Sequence, residues 1–238
     1  MPVLLPTMSG MRIRPARLNA ATASLFVLGS ACFVVGSVPA YADAVGETAD
    51  GVTYFVGSIF FTAASFLQLV QAQTPSAEPL VFWRRLPHDR GWLAAITQFA
   101  GTLAFNVSTL AALAHNASVR EQDRHVWRPD AVGSTLFLVA SVFAILAIGS
   151  FWSWRPRSLP WHIAWLNMLG SIFFMVSALA SFVLPGTGEL LDDRIAVAGT
   201  LLGALCFLIA SALMFPAFEP TPDAVRRKAN DHGISRQR

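Results

Sequence analysis

Six stretches of the chain carry no Asp, Glu, Lys or Arg: residues 18–42, 51–77, 91–119, 131–154, 158–188 and 195–218. A helix rises about 1.5 Å per residue and a bilayer core is about 30 Å thick, so about 20 apolar residues cross it. Every stretch is long enough. The runs are continuous, not ten-residue segments of alternating polarity, which excludes an outer-membrane barrel. In lipid each helix satisfies its own backbone groups, so the expected fold is all-α: a polytopic membrane helical bundle of six transmembrane helices. The spans are placed at about 20–41, 52–72, 92–114, 131–152, 161–184 and 195–216, within a membrane domain covering 20–216. With 54% hydrophobic and 13% charged residues, nothing outside the spans is long enough to fold alone. Residues 1–19 are read as a cytoplasmic segment and 217–238 as an unstructured basic tail.

Arginine sets the orientation, because short cytoplasmic loops are enriched in Arg and Lys. With the N-terminus inside, thirteen of the 17 basic residues fall on the inner side: Arg12, Arg14, Arg17, Arg84, Arg85, Arg90, Arg155, Arg157, Arg226, Arg227, Lys228, Arg236 and Arg238. Only Arg120, Arg124, Arg128 and Arg194 fall outside. Both termini are therefore expected in the cytoplasm of an inner-membrane protein. A rival reading takes the first helix as a signal peptide cleaved after Ala42, since Ala40 and Ala42 fit a signal-peptidase site. The retained helix is preferred because it shares the repeat found in the other five.

That repeat is G-[STA]-x-x-F-x-x-x-[STA]. It sets Gly29 with Phe33, Gly57 with Phe61, Gly101 with Phe105, Gly133 with Phe137, Gly170 with Phe174, and Gly203 with Phe207. Residues four apart share one helix face, so each helix carries a stripe of notch, knob and notch. Lipid is as apolar as leucine, so helices associate in it by close packing at small residues. The expectation is that the phenylalanine of one helix sits over the glycine of a neighbour. Trp92, Gln98, Gly101, Phe105 and Ser108 also match Trp161, Asn167, Gly170, Phe174 and Ser177 at a constant offset. Phe82, Trp83, Arg84 and Arg85 resemble Phe151, Trp152 and Arg155 in the linkers before them. The bundle therefore reads as repeated antiparallel helical hairpins, each joined by a Trp/Arg turn.

The segments WRPDAVG at 127–133, QFAGTLAFNVS at 98–108 and WHIAWLNMLGSIFFMVS at 161–177 resemble bacterial membrane proteins with YrhK-like domains, over about residues 25 to 215. The resemblance implies an integral membrane protein of unknown function and supplies no catalytic residue.

The spans hold no charge to move protons or sense voltage. Their polar groups are amides. Gln98, Asn106 and Asn167 are read either as interhelical glue or as the lining of a polar pocket for a neutral ligand. His115 and His125 share a loop with Glu121 and Asp123 but lack a compact ligand spacing, so no metal site is expected. Cys32 and Cys206 read as small hydrophobes. No phosphate loop, nucleophile elbow or paired acid and base is present, so no cofactor, catalytic residue or enzyme activity is expected. The net charge of +3 reflects interfacial arginine. Expected partners are the bilayer, anionic lipid at the inner face and a second copy of the chain in a homo-oligomer, with no nucleic acid. The leading expectation is a structural or interaction protein of the membrane; the alternative is a transporter or channel for a small neutral solute.

Overall fold

The computed structural model describes residues 15–74, 79–114, 118–184 and 186–217. Arg12, Arg14, His115 and the basic tail from Glu219 lie outside those residues. In chain order the helices are α1 (Pro15–Gly36), α2 (Pro39–Val45), α3 (Glu47–Gln73), α4 (Arg90–Ala111), α5 (Val119–Glu121), α6 (Arg128–Ile148), α7 (Leu159–Ala180) and α8 (Asp193–Ala217). A π-helical turn, Gln122–Trp127, runs from α5 into α6. Six of these segments are long and apolar enough to cross a membrane, α5 and the π turn counting with α6.

Helix ends depart from the expected spans for local reasons. α1 stops at Gly36 because Pro39, which has no N–H to donate, opens the separate α2. α6 stops at Ile148, where Gly149 takes a φ of 152°. At their other ends α3, α6 and α8 start early, and their first turns contain Glu47 and Asp50, Asp130, and Asp193. Acidic side chains are favoured there by the helix dipole. The absence of charge therefore holds for the middle of the helices and not for these ends.

The surface is the reverse of a soluble protein's. Large apolar side chains such as Leu110, Val132, Leu179 and Ile209 are about half exposed, while Ser30, Ser58, Ser65, Thr102, Ser134 and Ser171 are almost wholly buried. Such an arrangement suits a chain whose solvent is hydrocarbon.

The six long helices form a closed ring: α1 packs most closely on α3, α4 on α6 and α7 on α8, and the seams α3/α4, α6/α7 and α8/α1 complete it. Each close pair is antiparallel and locked twice. A Cβ built on Gly29 would lie 2.7 Å from Phe61, and one on Gly57 would lie 3.0 Å from Phe33. Gly101 meets Phe137 at 2.8 Å and Gly133 meets Phe105 at 3.1 Å in the same sense. Gly170 meets Phe207 at 3.0 Å, and Gly203 lies tight against Phe174. Glycine is required at these places because two backbones and a ring converge where a side chain would begin. These pairs are joined through the end opposite the Trp/Arg linkers. The Trp/Arg turns join α3 to α4 and α6 to α7, so the helices expected to pair about those turns do pack together, but along the looser seams.

The six phenylalanines of the stripes meet in one layer at mid-height. Phe137 stands 5.1 Å from Phe105, 5.6 Å from Phe207, 6.3 Å from Phe61 and 6.4 Å from Phe174, measured between ring centroids. Phe33 reaches Phe174 at 6.0 Å and Phe61 at 5.7 Å. Most of these contacts are edge-on or tilted, the arrangement the ring quadrupole favours.

The looser seams are joined by polar side chains. Ser58 and Thr109 hydroxyls pair at 3.0 Å, and Asn106 donates to Thr62 Oγ1 at 2.9 Å across α3/α4. Ser141 and Ser171 hydroxyls pair at 3.0 Å across α6/α7. At the α8/α1 seam Asn19 donates to the Met214 carbonyl at 2.9 Å.

Candidate functional site

At each end of the ring, beyond the phenylalanine layer, the helices leave a cavity. The arginine end holds the linkers with Arg84, Arg85, Arg155 and Arg157. There the buried Gln73 pins the first linker, donating to the Val81 carbonyl at 3.0 Å and accepting from the Arg84 N–H at 3.1 Å. Asp89 caps α4 by accepting from the Trp92 N–H at 2.7 Å. Arg90 and Arg155 donate to the Leu146 and Ile148 carbonyls at 3.0 and 3.2 Å, closing the end of α6. Trp83, Trp152 and Trp154 are exposed around this rim, whereas Trp92 is buried against Leu69 and Ala95.

The cavity at this end has a volume of about 290 Å³ and takes lining residues from all six long helices. Gln98 and Asn167 both line it. Their side chains have no hydrogen-bond partner among the described residues. Asn19 and Gln68, which sequence reasoning did not single out together with them, bring two more amides. Gln68 Oε1 is buried without a partner. Phe26 and Phe207 close the cavity toward the middle of the bundle. Asn106 is not part of this set: its amide is held by Thr62 in the α3/α4 seam. One sequence group thus divides into two amides facing a cavity and one acting between helices.

At the opposite, acidic end lies a larger cavity of about 540 Å³. Glu47, Tyr54, Trp127, Asp130, Asp193 and Thr200 are among its lining residues. Local chemistry sets the walls. The Arg128 N–H reaches back five residues to the Asp123 carbonyl, a π-type bond, immediately before Pro129. A proline cannot donate to the carbonyl four residues back, so the π turn falls where the regular ladder is broken. Trp127 at its end donates from Nε1 to the Ala178 carbonyl at 2.8 Å and packs on Phe182 at 4.9 Å. The Tyr54 hydroxyl pairs with Ser37 at 3.0 Å. An isolated β-bridge between Val183 and Leu190 folds the α7–α8 loop over the same end, and both residues line the cavity.

A single register position serves both ends. Three residues before their glycines, Phe26, Gln98 and Asn167 of α1, α4 and α7 line the arginine-end cavity. Tyr54, Asp130 and Thr200 hold the same place in α3, α6 and α8 and line the acidic-end cavity.

Other sequence candidates disperse. Ser118 caps α5 and Glu121 accepts from the Ser118 N–H at 2.8 Å, while Asp123 pairs with Arg128 at 2.8 Å. Among the described residues no group of three His, Cys, Asp or Glu is placed to hold a metal. Cys32 packs toward Gly57, and Cys206 is buried in α8.

No curated protein and no solved structure matches the chain. A family model does. It covers residues 16–73, a shorter stretch than the resemblance in the sequence, and those residues are α1, α2 and α3 almost to their ends. By that match the first hairpin is similar to the family described as YrhK-like protein, whose function is unknown.

Proposed function

We propose that the chain is a multi-pass protein of the bacterial inner membrane, built from three related hairpins, that binds and carries a small uncharged polar solute. The arginine bias supports an orientation with both termini cytoplasmic, which makes the arginine end the inner one. Exposed Trp83, Trp152 and Trp154 beside Arg84, Arg85 and Arg157 suit contact with anionic lipid at that face. The observation that carries the reading is the pair Gln98 and Asn167, whose amides border a cavity inside the ring without a protein partner. An amide in low dielectric without a hydrogen bond is costly, so this arrangement fits a site completed by water or a polar solute. Movement past the phenylalanine layer would require the hairpins to shift against one another at their polar seams.

The test is flux of urea and glycerol into proteoliposomes. Gln98→Leu with Asn167→Leu is expected to lower it roughly tenfold, the scale of a lost buried hydrogen bond or two, while size-exclusion profile and helicity stay unchanged. Wild-type protein that moves neither solute above empty vesicles would favour the alternative, a structural or interaction protein forming a homo-oligomer. Against that alternative, the mid-helix glycines of the stripes are occupied by hairpin partners within the chain.

A further inference from the structure

The acidic-end cavity has a different chemistry, and its reading stands whether or not the amide cavity carries a solute. Among the described residues three carboxylates line it, from Glu47, Asp130 and Asp193, and no Lys, Arg or His does. Asp130 is the decisive one. It sits in the first turn of α6, is partly buried, and lines the cavity. Its carboxylate has no hydrogen bond or ion pair among the described residues. The nearest guanidinium in sequence, Arg128, is engaged with Asp123 at 2.8 Å. A carboxylate partly withdrawn from water is costly to keep without a counter-charge.

The shape of the cavity narrows what that counter-charge is. A volume of about 540 Å³ is far larger than a bare metal ion and falls in the range of small-molecule sites. The described residues offer no trio of metal ligands. Two aromatic residues, Tyr54 and Trp127, stand in the wall with Asp130, and both use their polar atoms elsewhere, on Ser37 and on the Ala178 carbonyl. Ring faces beside a carboxylate attract ammonium groups through the ring quadrupole as well as through charge. Ser108, Ser177 and Thr200 add hydroxyls for a polar substituent.

We infer that the cavity at the acidic end is a binding site for a small organic ammonium ion, held by Asp130 against Tyr54 and Trp127. The full chain in nanodiscs is titrated by calorimetry with tetramethylammonium chloride, with sodium chloride at equal ionic strength, and with tert-butanol as an uncharged analogue of similar shape. Saturable binding is expected for tetramethylammonium alone. Asp130→Asn should weaken it roughly tenfold or more, the scale of losing a buried charge partner. Gln98→Leu, in the other cavity, should leave it unchanged. Thr200→Lys places a tethered ammonium in the cavity and should abolish binding, which keeps the test open if Asp130→Asn does not fold. Absence of saturable binding, equal binding of sodium or tert-butanol, wild-type affinity in Asp130→Asn or Thr200→Lys, or an equal loss in Gln98→Leu would each overturn the inference.

Discussion

Within a hairpin, the mid-height contact is a matter of shape: a phenylalanine ring fills the place where the partner's glycine has no side chain. Between hairpins no glycine–phenylalanine lock is present among the described residues, and the helices are tied by hydroxyl-to-hydroxyl or amide-to-hydroxyl contacts, as in Ser58 with Thr109 and Asn106 with Thr62. The close pairs carry such contacts only in addition to their locks, as in Ser177 with Thr200 at 2.7 Å. The two kinds of seam respond differently to force. A close-packed seam loses its contacts steeply with separation and has no alternative arrangement. Hydrogen bonds in membranes contribute on average only about 0.6 kcal/mol each and can be exchanged with other polar groups. Hairpins are therefore expected to behave as rigid units, with any opening of the ring occurring at α3/α4, α6/α7 or α8/α1.

That contrast can be broken first at the knob. Phe137→Ala removes a ring that sits on Gly101 and touches four others of the layer, and it should cost about 3–5 kcal/mol of unfolding free energy, measured by SDS titration in mixed micelles. Next comes the notch. Gly203→Val drives a branched side chain into Phe174 and toward the Gly170 carbonyl at 3.0 Å, with an expected cost of about 3 kcal/mol. The hydroxyl seam should be least sensitive: Ser141→Ala leaves Ser171 still bonded to the Asn167 carbonyl at 2.8 Å, so the same titration should shift by about 0.6 kcal/mol. A cost for Ser141→Ala equal to that of Gly203→Val would end the view of hairpins as the rigid units.

Much of this frame was legible in the residues. Charge-free runs located the helices, and a fixed spacing of four put glycine, phenylalanine and serine on one stripe. Which neighbour receives the stripe was not legible, because both neighbours of every helix in the ring carry the same pattern. Asp130 is not legible as a site residue because it lies just outside the uncharged run 131–154, whose end is not the end of the helix: α6 continues through it into the π turn. The division among the amides was present but unread. At about 100° per residue, Gln98 and Asn167 lie about 60° from their glycines, while Asn106 lies about 140° from Gly101 and so belongs to a different seam.

The register position three residues before each glycine has a consequence for how such a molecule can change. Every hairpin contributes one such residue to each end: Phe26 with Tyr54, Gln98 with Asp130, Asn167 with Thr200. Altering these six addresses rewrites the chemistry of both chambers without touching a notch or a knob. Copying or exchanging a whole hairpin does something else, because it transfers a residue to both chambers at once. In such an architecture the linings of the two chambers are inherited as linked pairs, and only point substitution can separate them.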